Sequence, residues 1–345
     1  MELTKQDTQR AKGIAIIGMV MLHLFCRQGD LPYSPWLWIG NTPLVYYLGL
    51  FGDICVPIYC FCSGYAHLLM KEKYKNCYTK QILSKLFRFL LNYWIIVIIF
   101  SLLGLLTGNT EEIPTSFISF LGNVFLFQIN YNGAWWFVVT YIILSLLSPL
   151  IFRLIYKINP ILIIVFSGVI YFLSYLFRFK FIISIENPIL DWIWQQIILL
   201  GTSQIGYIIG VVCRKESCIS KCREFFKTTS IFLKLTVAVS PFVTFFIHCI
   251  IQSLIIAPIT AISVLLFLFI ISMPKWLNAI LLFMGEHSTN IWFIHMFFYL
   301  TLFDGFVFIA KYPIFVFLLM MSVCLVSSYL INKIYMIVSK KIFKL

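Results

Sequence analysis

The stretch FRFLLNYWIIVIIFSLLGLLT, residues 87–107, carries a single charged side chain, Arg88. A helix of about 20 apolar residues is long enough to cross the hydrocarbon core of a bilayer. Similar runs recur along the 345-residue chain, in which 61% of the residues are hydrophobic and only 11% are charged. A soluble domain of this size needs more charge to cover its surface. The sequence therefore predicts an all-α, polytopic transmembrane helix bundle.

We predict about ten spans, which form a single membrane-embedded domain over residues 1–345. The apolar segment 117–128 is too short to cross, so we predict a re-entrant or interfacial helix there. The predicted spans cover residues 11–29, 43–69, 87–107, 134–153, 161–177, 192–213, 231–250, 254–273, 286–304 and 313–335.

The distribution of positive charge predicts the orientation of the chain. All but four of the 26 Lys and Arg residues fall on one side of the predicted bundle. That side is cytoplasmic by the positive-inside rule, so both termini are predicted to be cytoplasmic in a multi-pass protein of the cell membrane. Because the cations cluster between apolar runs, the net charge of +13 does not indicate a nucleic-acid partner. The four exceptions are Arg27, Arg178, Lys180 and Lys311.

Ten cysteines are present, but their spacing predicts neither a disulfide framework nor a metal site. Most lie in or beside apolar runs, where cysteine behaves as a small hydrophobic residue. Cys213, Cys218 and Cys222 fall in a basic segment that we place in the cytoplasm. This segment has no CxxC spacing and no histidine nearby, so zinc binding is not predicted.

Lys12 and His23 lie beside and inside the first predicted span, where polar groups are costly and often functional. They are eleven residues apart, so a helix places them on one face, about 16 Å from each other. Lys12 would meet an anionic group at the cytoplasmic edge, and His23 the reacting end of the same ligand at mid-membrane. The alternatives are a snorkelling anchor for Lys12 and a packing histidine for His23.

Two further segments offer partners for His23. Asp53 lies in the outer half of the second predicted span, where it would orient the imidazole, bind a sugar hydroxyl or face external water. Ser288 and His295 share nearly one face of the ninth predicted span, which we predict to begin with a cap at residues 286–289. Helix capping and hydrogen bonds between helices are the structural alternative there.

Residues at the two membrane surfaces complete the candidate set. Lys85 and Arg88 are three positions apart at the start of the third span, where they would clamp a phosphate or act as ordinary positive-inside anchors. Trp135 and Trp136 open the fourth span on the outer side, as an aromatic belt or as a stacking surface for carbohydrate. Ser63, beside Gly64, marks a place where helices approach closely.

Five segments resemble, in order, the motifs of the acyltransferase-3 family of integral membrane acyltransferases. The first span resembles the family's pattern of a basic residue, ten others and a histidine. The second resembles its "V-x-x-F-F-x-x-S-G-[FY]" run, although Cys60 and Cys62 depart from it. The remaining three resemble the family's R-x-x-R pair, its "W-Y-L…Y…P" stretch and its "G-x-x-S-x-x-[IY]-[WY]-L-x-H" segment. The five segments are Ala11–His23, Val56–Tyr65, Lys85–Trp94, Trp135–Pro149 and Gly285–His295.

The resemblance implies an acyl-CoA donor, most often acetyl-CoA, and a hydroxyl acceptor on a cell-surface or lipid-linked glycan. It implies that His23 is essential and that Lys12 takes part. Neutral His23 would act as the base, with a covalent acyl-imidazole as the alternative. We assign catalysis to His23, Lys12, Asp53 and His295, cofactor binding to Lys12, Lys85, Arg88 and Ser63, and substrate binding to Trp135, Trp136, Asp53 and Ser288. No metal is expected.

Two other functions fit a polytopic bundle. A transporter or flippase for a lipid-linked glycan would share the spans and their polar groups, but it is expected to contain an internal repeat, and none is visible. A scaffold in a polysaccharide-export complex would not explain why histidines, which are costly inside a membrane, are present there.

Overall fold

A computed structural model describes residues 2–26, 29 and 31–343 of the chain. Helices make up about 81% of it, which confirms the all-α prediction. Among these residues a single two-stranded antiparallel ribbon occurs, formed by β1 (Trp38–Ile39) and β2 (Thr42–Pro43). Arg27 and Lys344, which entered the charge count, lie outside the described residues. The helices are α1 (Lys5–Phe25), α2 (Leu44–Leu50), α3 (Cys55–Lys73), α4 (Tyr78–Thr107), α5 (Phe117–Val124), α6 (Trp136–Lys157), α7 (Pro160–Phe179), α8 (Pro188–Lys215), α9 (Cys218–Thr228), α10 (Ile231–Ile251), α11 (Ala257–Ile270), α12 (Lys275–Ile294) and α13 (Pro313–Phe343).

Seven helical segments in the described part of the chain are long and apolar enough to cross a membrane. They support a multi-pass membrane protein, whereas the count of ten spans and the orientation of the termini stay predictions. Helices α1 and α12 are not among the seven. Both carry more polar residues along their length, and they are the helices that bring His23 and His295 into the fold.

The predicted start of the ninth span is wrong. Residues 286–289 do not cap a helix but lie within α12, which begins at Lys275. Gly285 does not interrupt this helix. A Cβ at Gly285 would overlap the carbonyl oxygen of Gln9, so the residue serves a close backbone contact with α1. Helix α12 also ends earlier than the predicted span, at Ile294, and a single 3-10 turn, His295–Phe298, follows it.

The chain forms two compact units. The first comprises Met1–Gly18, Phe51–Ile82 and Phe137–Gly285, and the second comprises Met19–Leu50, Leu83–Trp136 and Glu286–Leu345. In the first unit α3 packs closely on α8, because Gly64 brings the helix backbone against the carbonyl of Tyr207. The predicted close approach beside Ser63 is therefore confirmed. In the second unit the ring of Phe100 stacks on that of Phe297, with centroids 4.0 Å apart.

Candidate active site

His23 and His295 meet inside the second unit. His23 lies in the last turn of α1 and is half-buried, while His295 follows the end of α12 and is fully buried. The Nδ1 atom of His23 is 2.6 Å from Nε2 of His295, and the ring planes are within 9° of parallel with centroids 4.8 Å apart. Face-to-face stacking would keep all atoms of the two rings at van der Waals separation, so the rings meet edge to edge. This is the geometry of a hydrogen bond between two ring nitrogens.

The end of α12 fixes which nitrogen of His295 carries the proton. The last carbonyls of a helix lack intrahelical partners. Nδ1 of His295 lies 2.9 Å from the carbonyl oxygen of Trp292 and 3.2 Å from that of Ile291. A carbonyl only accepts, so Nδ1 of His295 is the donor, and in the neutral ring Nε2 is the acceptor.

The proton positions on His23 follow from those on His295. Since Nε2 of His295 accepts, Nδ1 of His23 must donate to it. The neutral His23 ring then carries its lone pair on Nε2, the nitrogen that faces away from His295. A half-buried imidazole in this tautomer is able to take a proton at Nε2. The second unit therefore contains a histidine whose tautomer leaves Nε2 as the proton-accepting nitrogen.

A short segment before α6 holds the end of α12 in place. The indole nitrogen of Trp135 donates to the carbonyl of Phe293 at 3.0 Å, and the Asn132 amide donates to the same oxygen at 2.8 Å. In return, Trp292 donates to the carbonyl of Ala134 at 3.0 Å. Trp135 is 0% exposed, so its ring has no free face on which a sugar could stack. Its contacts instead support the helix end that orients His295.

Asp53 pairs with a histidine that the sequence analysis did not single out. In the first unit its carboxylate accepts a hydrogen bond from Nε2 of His248 at 3.0 Å. Among the described residues, Nδ1 of fully buried His248 has no partner. Arg178 and Tyr171 lie close enough to interact electrostatically with Asp53. A signal for His248 was present, because it lies in the predicted span 231–250, where a polar group is costly, with Thr244 and Gln252 four positions before and after it.

Lys12 lies in the first unit and is half-buried. Its charge acts on the side chains of Cys62 in α3 and Tyr141 in α6. The hydroxyl of Ser63 donates to the carbonyl of Tyr59 in its own helix at 2.8 Å, which uses its proton locally.

A polar cavity of about 270 Å³ lies in the second unit between α4, α12 and α13. Asn92 donates to Asn290 at 2.7 Å, and Asn290 donates to Asn332 at 2.8 Å, so three amides form a ladder across the three helices. Lys85 is exposed and is not among the lining residues, and Ser288 is buried on α12. The cavity is lined by Arg88, Phe89, Asn92, Glu286, Thr289, Asn290, Asn332 and Tyr335.

The described residues contain no group of three His, Cys, Asp or Glu side chains placed to hold a metal ion. A family model with the description "Acyltransferase domain", that of the acyltransferase-3 family, matches residues 9–333. The match includes both histidines of the edge-to-edge pair and Lys12. No curated protein and no solved structure matches the chain.

Proposed function

Because this chain belongs to the acyltransferase-3 family and is therefore a membrane acyltransferase, we propose that it acetylates a glycan. The donor in this proposal is cytoplasmic acetyl-CoA. The acceptor is a hydroxyl of a cell-surface or lipid-linked sugar. The single observation that carries the mechanism is the contact between Nδ1 of His23 and Nε2 of His295.

His23 performs the proton transfers of the proposed reaction. Its Nε2 takes the proton of the acceptor hydroxyl as the hydroxyl oxygen attacks the thioester carbonyl carbon. The carbon–sulfur bond breaks, and His23 returns the proton to the leaving thiolate, so no proton is gained or lost. General base catalysis of this kind contributes about 10²–10⁴-fold to the rate.

His295 positions His23 rather than touching the substrate. By accepting from Nδ1–H it fixes both the ring orientation and the tautomer, as the buried carboxylate does in a Ser-His-Asp triad. The carbonyls of Ile291 and Trp292 hold His295 in the accepting state. The proposed base is thus oriented through two consecutive hydrogen bonds that end on the backbone of α12.

The polar cavity of the second unit supports a site for the donor's arm. Arg88 supplies a cation suited to phosphate, and the asparagine ladder supplies amide donors and acceptors that match the amide groups of a pantetheine chain. Lys85, exposed one turn before Arg88, extends the positive surface toward the predicted cytoplasm. Lys12 and Ser63, which lie in the first unit, stay sequence-based predictions for donor binding.

In the proposed reaction, Asp53 binds the acceptor sugar. Its side chain is 16% exposed, and one carboxylate oxygen is paired with His248. The other oxygen is suited to accept a hydrogen bond from a sugar hydroxyl. In the second unit, half-buried Trp136 and buried Ser288 stay sequence-based predictions for acceptor binding.

The proposed substrates are tested with purified protein in lipid nanodiscs, given labelled acetyl-CoA and candidate surface glycans. We expect label to appear on the glycan, with one free CoA thiol released for each acetyl group transferred. In parallel, the glycan of a deletion strain complemented with the gene is compared by mass with that of the uncomplemented strain. Labelling with a different acyl-CoA but not with acetyl-CoA would replace the donor. Glycan export without any acylation would overturn the enzyme assignment.

A further inference from the structure

An apolar cavity of about 470 Å³ lies in the second unit, between α1, α2 and the start of α13. Every residue that lines it is apolar, among them Met21 of α1, Leu48 of α2 and Ile314 of α13. Its volume is typical of a ligand pocket. Since the lining offers water almost no hydrogen-bond partner, the cavity is suited to a hydrocarbon chain.

The segment that precedes β1 forms one wall of this cavity and is held to the start of α13. Trp36, which lines the cavity, packs its ring against that of Tyr312 with centroids 4.9 Å apart. The backbone amide of Ser34 donates to the carbonyl of Lys311 at 2.7 Å. These two contacts place Lys311 beside the wall of the cavity.

Lys311 supplies an exposed positive charge next to the cavity. No carboxylate in the part of the chain that the structure describes pairs with it. The residue is the centre of a γ-turn of the rare form, in which the Tyr312 amide donates to the carbonyl of Ala310 at 2.7 Å and φ of Lys311 is 64°. It is also one of the four cations on the predicted outer side. An exposed cation beside an apolar cavity complements a ligand with an anionic head and an apolar chain.

Two aromatic rings connect the turn at Lys311 with the histidine pair. The ring of Tyr299 packs beside that of His295 with centroids 6.1 Å apart, and it meets the ring of Phe308 edge-on at 6.4 Å. The carbonyl of Phe308 accepts from the amide of Lys311 at 2.9 Å. The cation and the proposed base are therefore parts of one region of the second unit.

The cavity itself lies across α1 from the imidazole of His23. Met21 and Phe25, which both line the cavity, are each two positions from His23, so helical rotation places them on the opposite face of α1. Helix α1 ends at Phe25. A ligand whose apolar chain fills the cavity therefore has to pass the end of α1 to reach His23.

We propose that the cavity and Lys311 bind the acceptor as a lipid-linked sugar phosphate. The lipid chain fills the cavity, and the phosphate pairs with the Lys311 ammonium, a compact charge suited to phosphate. The sugar then extends past the end of α1 toward Nε2 of His23. This inference rests on the proposed acyl transfer, and it narrows the acceptor from a cell-surface or lipid-linked glycan to a lipid-linked one.

Photolabelling tests this site without relying on turnover. Full-length protein in nanodiscs of zwitterionic phospholipid, without acetyl-CoA, receives a polyprenyl phosphate that carries a diazirine on its chain. After irradiation we expect label on peptides of α2 and of the first turns of α13. Unlabelled polyprenyl phosphate should compete, whereas polyprenol, which lacks the phosphate, should require about a tenfold higher concentration. An anionic phospholipid at the same concentration should not compete.

Two matched pairs of variants test the two halves of the ligand. Lys311→Gln should weaken competition by polyprenyl phosphate about tenfold. Lys180→Gln, which removes an exposed cation of the predicted outer side from the first unit, should not. Ile314→Trp narrows the cavity and should lower labelling about fivefold. Leu318→Trp lies one turn later on α13, with a similar exposure (52% against 54%) but outside the lining, and should leave labelling unchanged.

The result of this test is separate from that of the proposed function. If anionic phospholipid abolished labelling equally well, or if neither Lys311→Gln nor Ile314→Trp changed it, the site would be overturned even in a protein that acetylates a glycan. Labelling with the expected variant effects, in protein that transfers no acetyl group to a lipid-linked sugar, would support the lipid site and overturn the proposed transfer.

Discussion

The two units each contain a histidine held by a hydrogen-bond acceptor, but the acceptors differ in charge. In the first unit Asp53 accepts from His248, whereas in the second unit the neutral ring of His295 accepts from His23. A proton added to His248 would be held in an ion pair with the carboxylate. A proton added to His23 meets no such charge on His295, which suits it to be passed on. The second unit therefore has the group that is better suited to proton exchange.

The exposure of the two histidines supports the same difference between His248 and His23. His248 is fully buried and its lone pair lies on buried Nδ1, while His23 is half-buried with its lone pair on Nε2. His23 is the more exposed of the two rings, so it is the one that we expect a substrate hydroxyl to reach. We therefore expect changes near His23 to affect turnover, and changes in the first unit to affect acceptor binding or stability.

Among the residues that surround His23, the largest effect is expected at His295. His295→Phe removes the acceptor for Nδ1–H of His23, so kcat should fall about 100-fold at saturating substrates. His295→Gln keeps an acceptor oxygen and should recover about tenfold of that loss. Steady-state kinetics of both variants, with unfolding temperatures as the folding control, measures this. If His295→Phe and His295→Gln were both folded and equally impaired in kcat, His295 would not position His23.

Asp53 should respond differently if the two pairs have different tasks. Asp53→Asn keeps a hydrogen-bond acceptor for His248 but removes the charge, so the KM for the acceptor should rise about tenfold with kcat changed less than about threefold. His248→Gln should give a similar change, and the double variant no further loss, because the two act as one unit. A 100-fold fall in kcat for Asp53→Asn would show that Asp53 and His248 act in catalysis, and the two histidine pairs would then not have different tasks.

A smaller effect is expected at Arg88, in the cavity of the second unit. Arg88→Ala should raise the KM for acetyl-CoA about fivefold through the loss of a phosphate contact that water partly screens. Arg88→Lys should restore part of the affinity for acetyl-CoA. The control Arg153→Ala, which removes an exposed cation from the first unit, should leave the KM for acetyl-CoA unchanged. The competing result is equal KM values for all variants, which would remove Arg88 from the donor site.

The smallest effect concerns the stability of the first unit. Burial would raise the pKa of Asp7, but hydrogen bonds from Thr4 and Arg223 and the charge of Arg223 outweigh burial and hold it below its ordinary value of 3.8. The stabilisation is therefore complete above that value and is lost as the pH falls through the folded-state pKa. Asp7→Asn should cost about 1–2 kcal/mol at pH 7 with unchanged kcat. The difference from wild type should shrink below pH 3.8, and thermal unfolding at pH 7 and pH 3 tests it.

The sequence predicted which residues belong to the candidate site better than it predicted which of them contact each other. Helical periodicity and the cost of polar groups in a membrane were enough to select His23, Asp53 and His295. Periodicity shows which residues share a helix face, but not which helix packs against that face. The choice between Asp53 and His295 as the partner of His23 therefore stayed open, and His248 was missed.

The errors at α12 and Trp135 have local physical causes. Residues 286–289 were predicted to cap a helix, but they lie inside α12, where the preceding Gly285 serves close backbone packing. Trp135 was placed at an interface by its position at the start of a span. Trp135 is buried instead, and its indole nitrogen donates to the carbonyl of Phe293 in the last turn of α12, a tertiary contact that the sequence pattern does not show.

The central claim, that His23 is the base of the transfer, is tested most directly by a single-turnover measurement. Wild type and His23→Ala are mixed with acetyl-CoA and acceptor at saturating concentrations, and release of the CoA thiol is followed in time, with donor affinity measured separately. The account predicts a rate at least about 100-fold lower for His23→Ala and an unchanged Kd for acetyl-CoA. A His23→Ala rate within a few-fold of wild type in folded, donor-binding protein would contradict it.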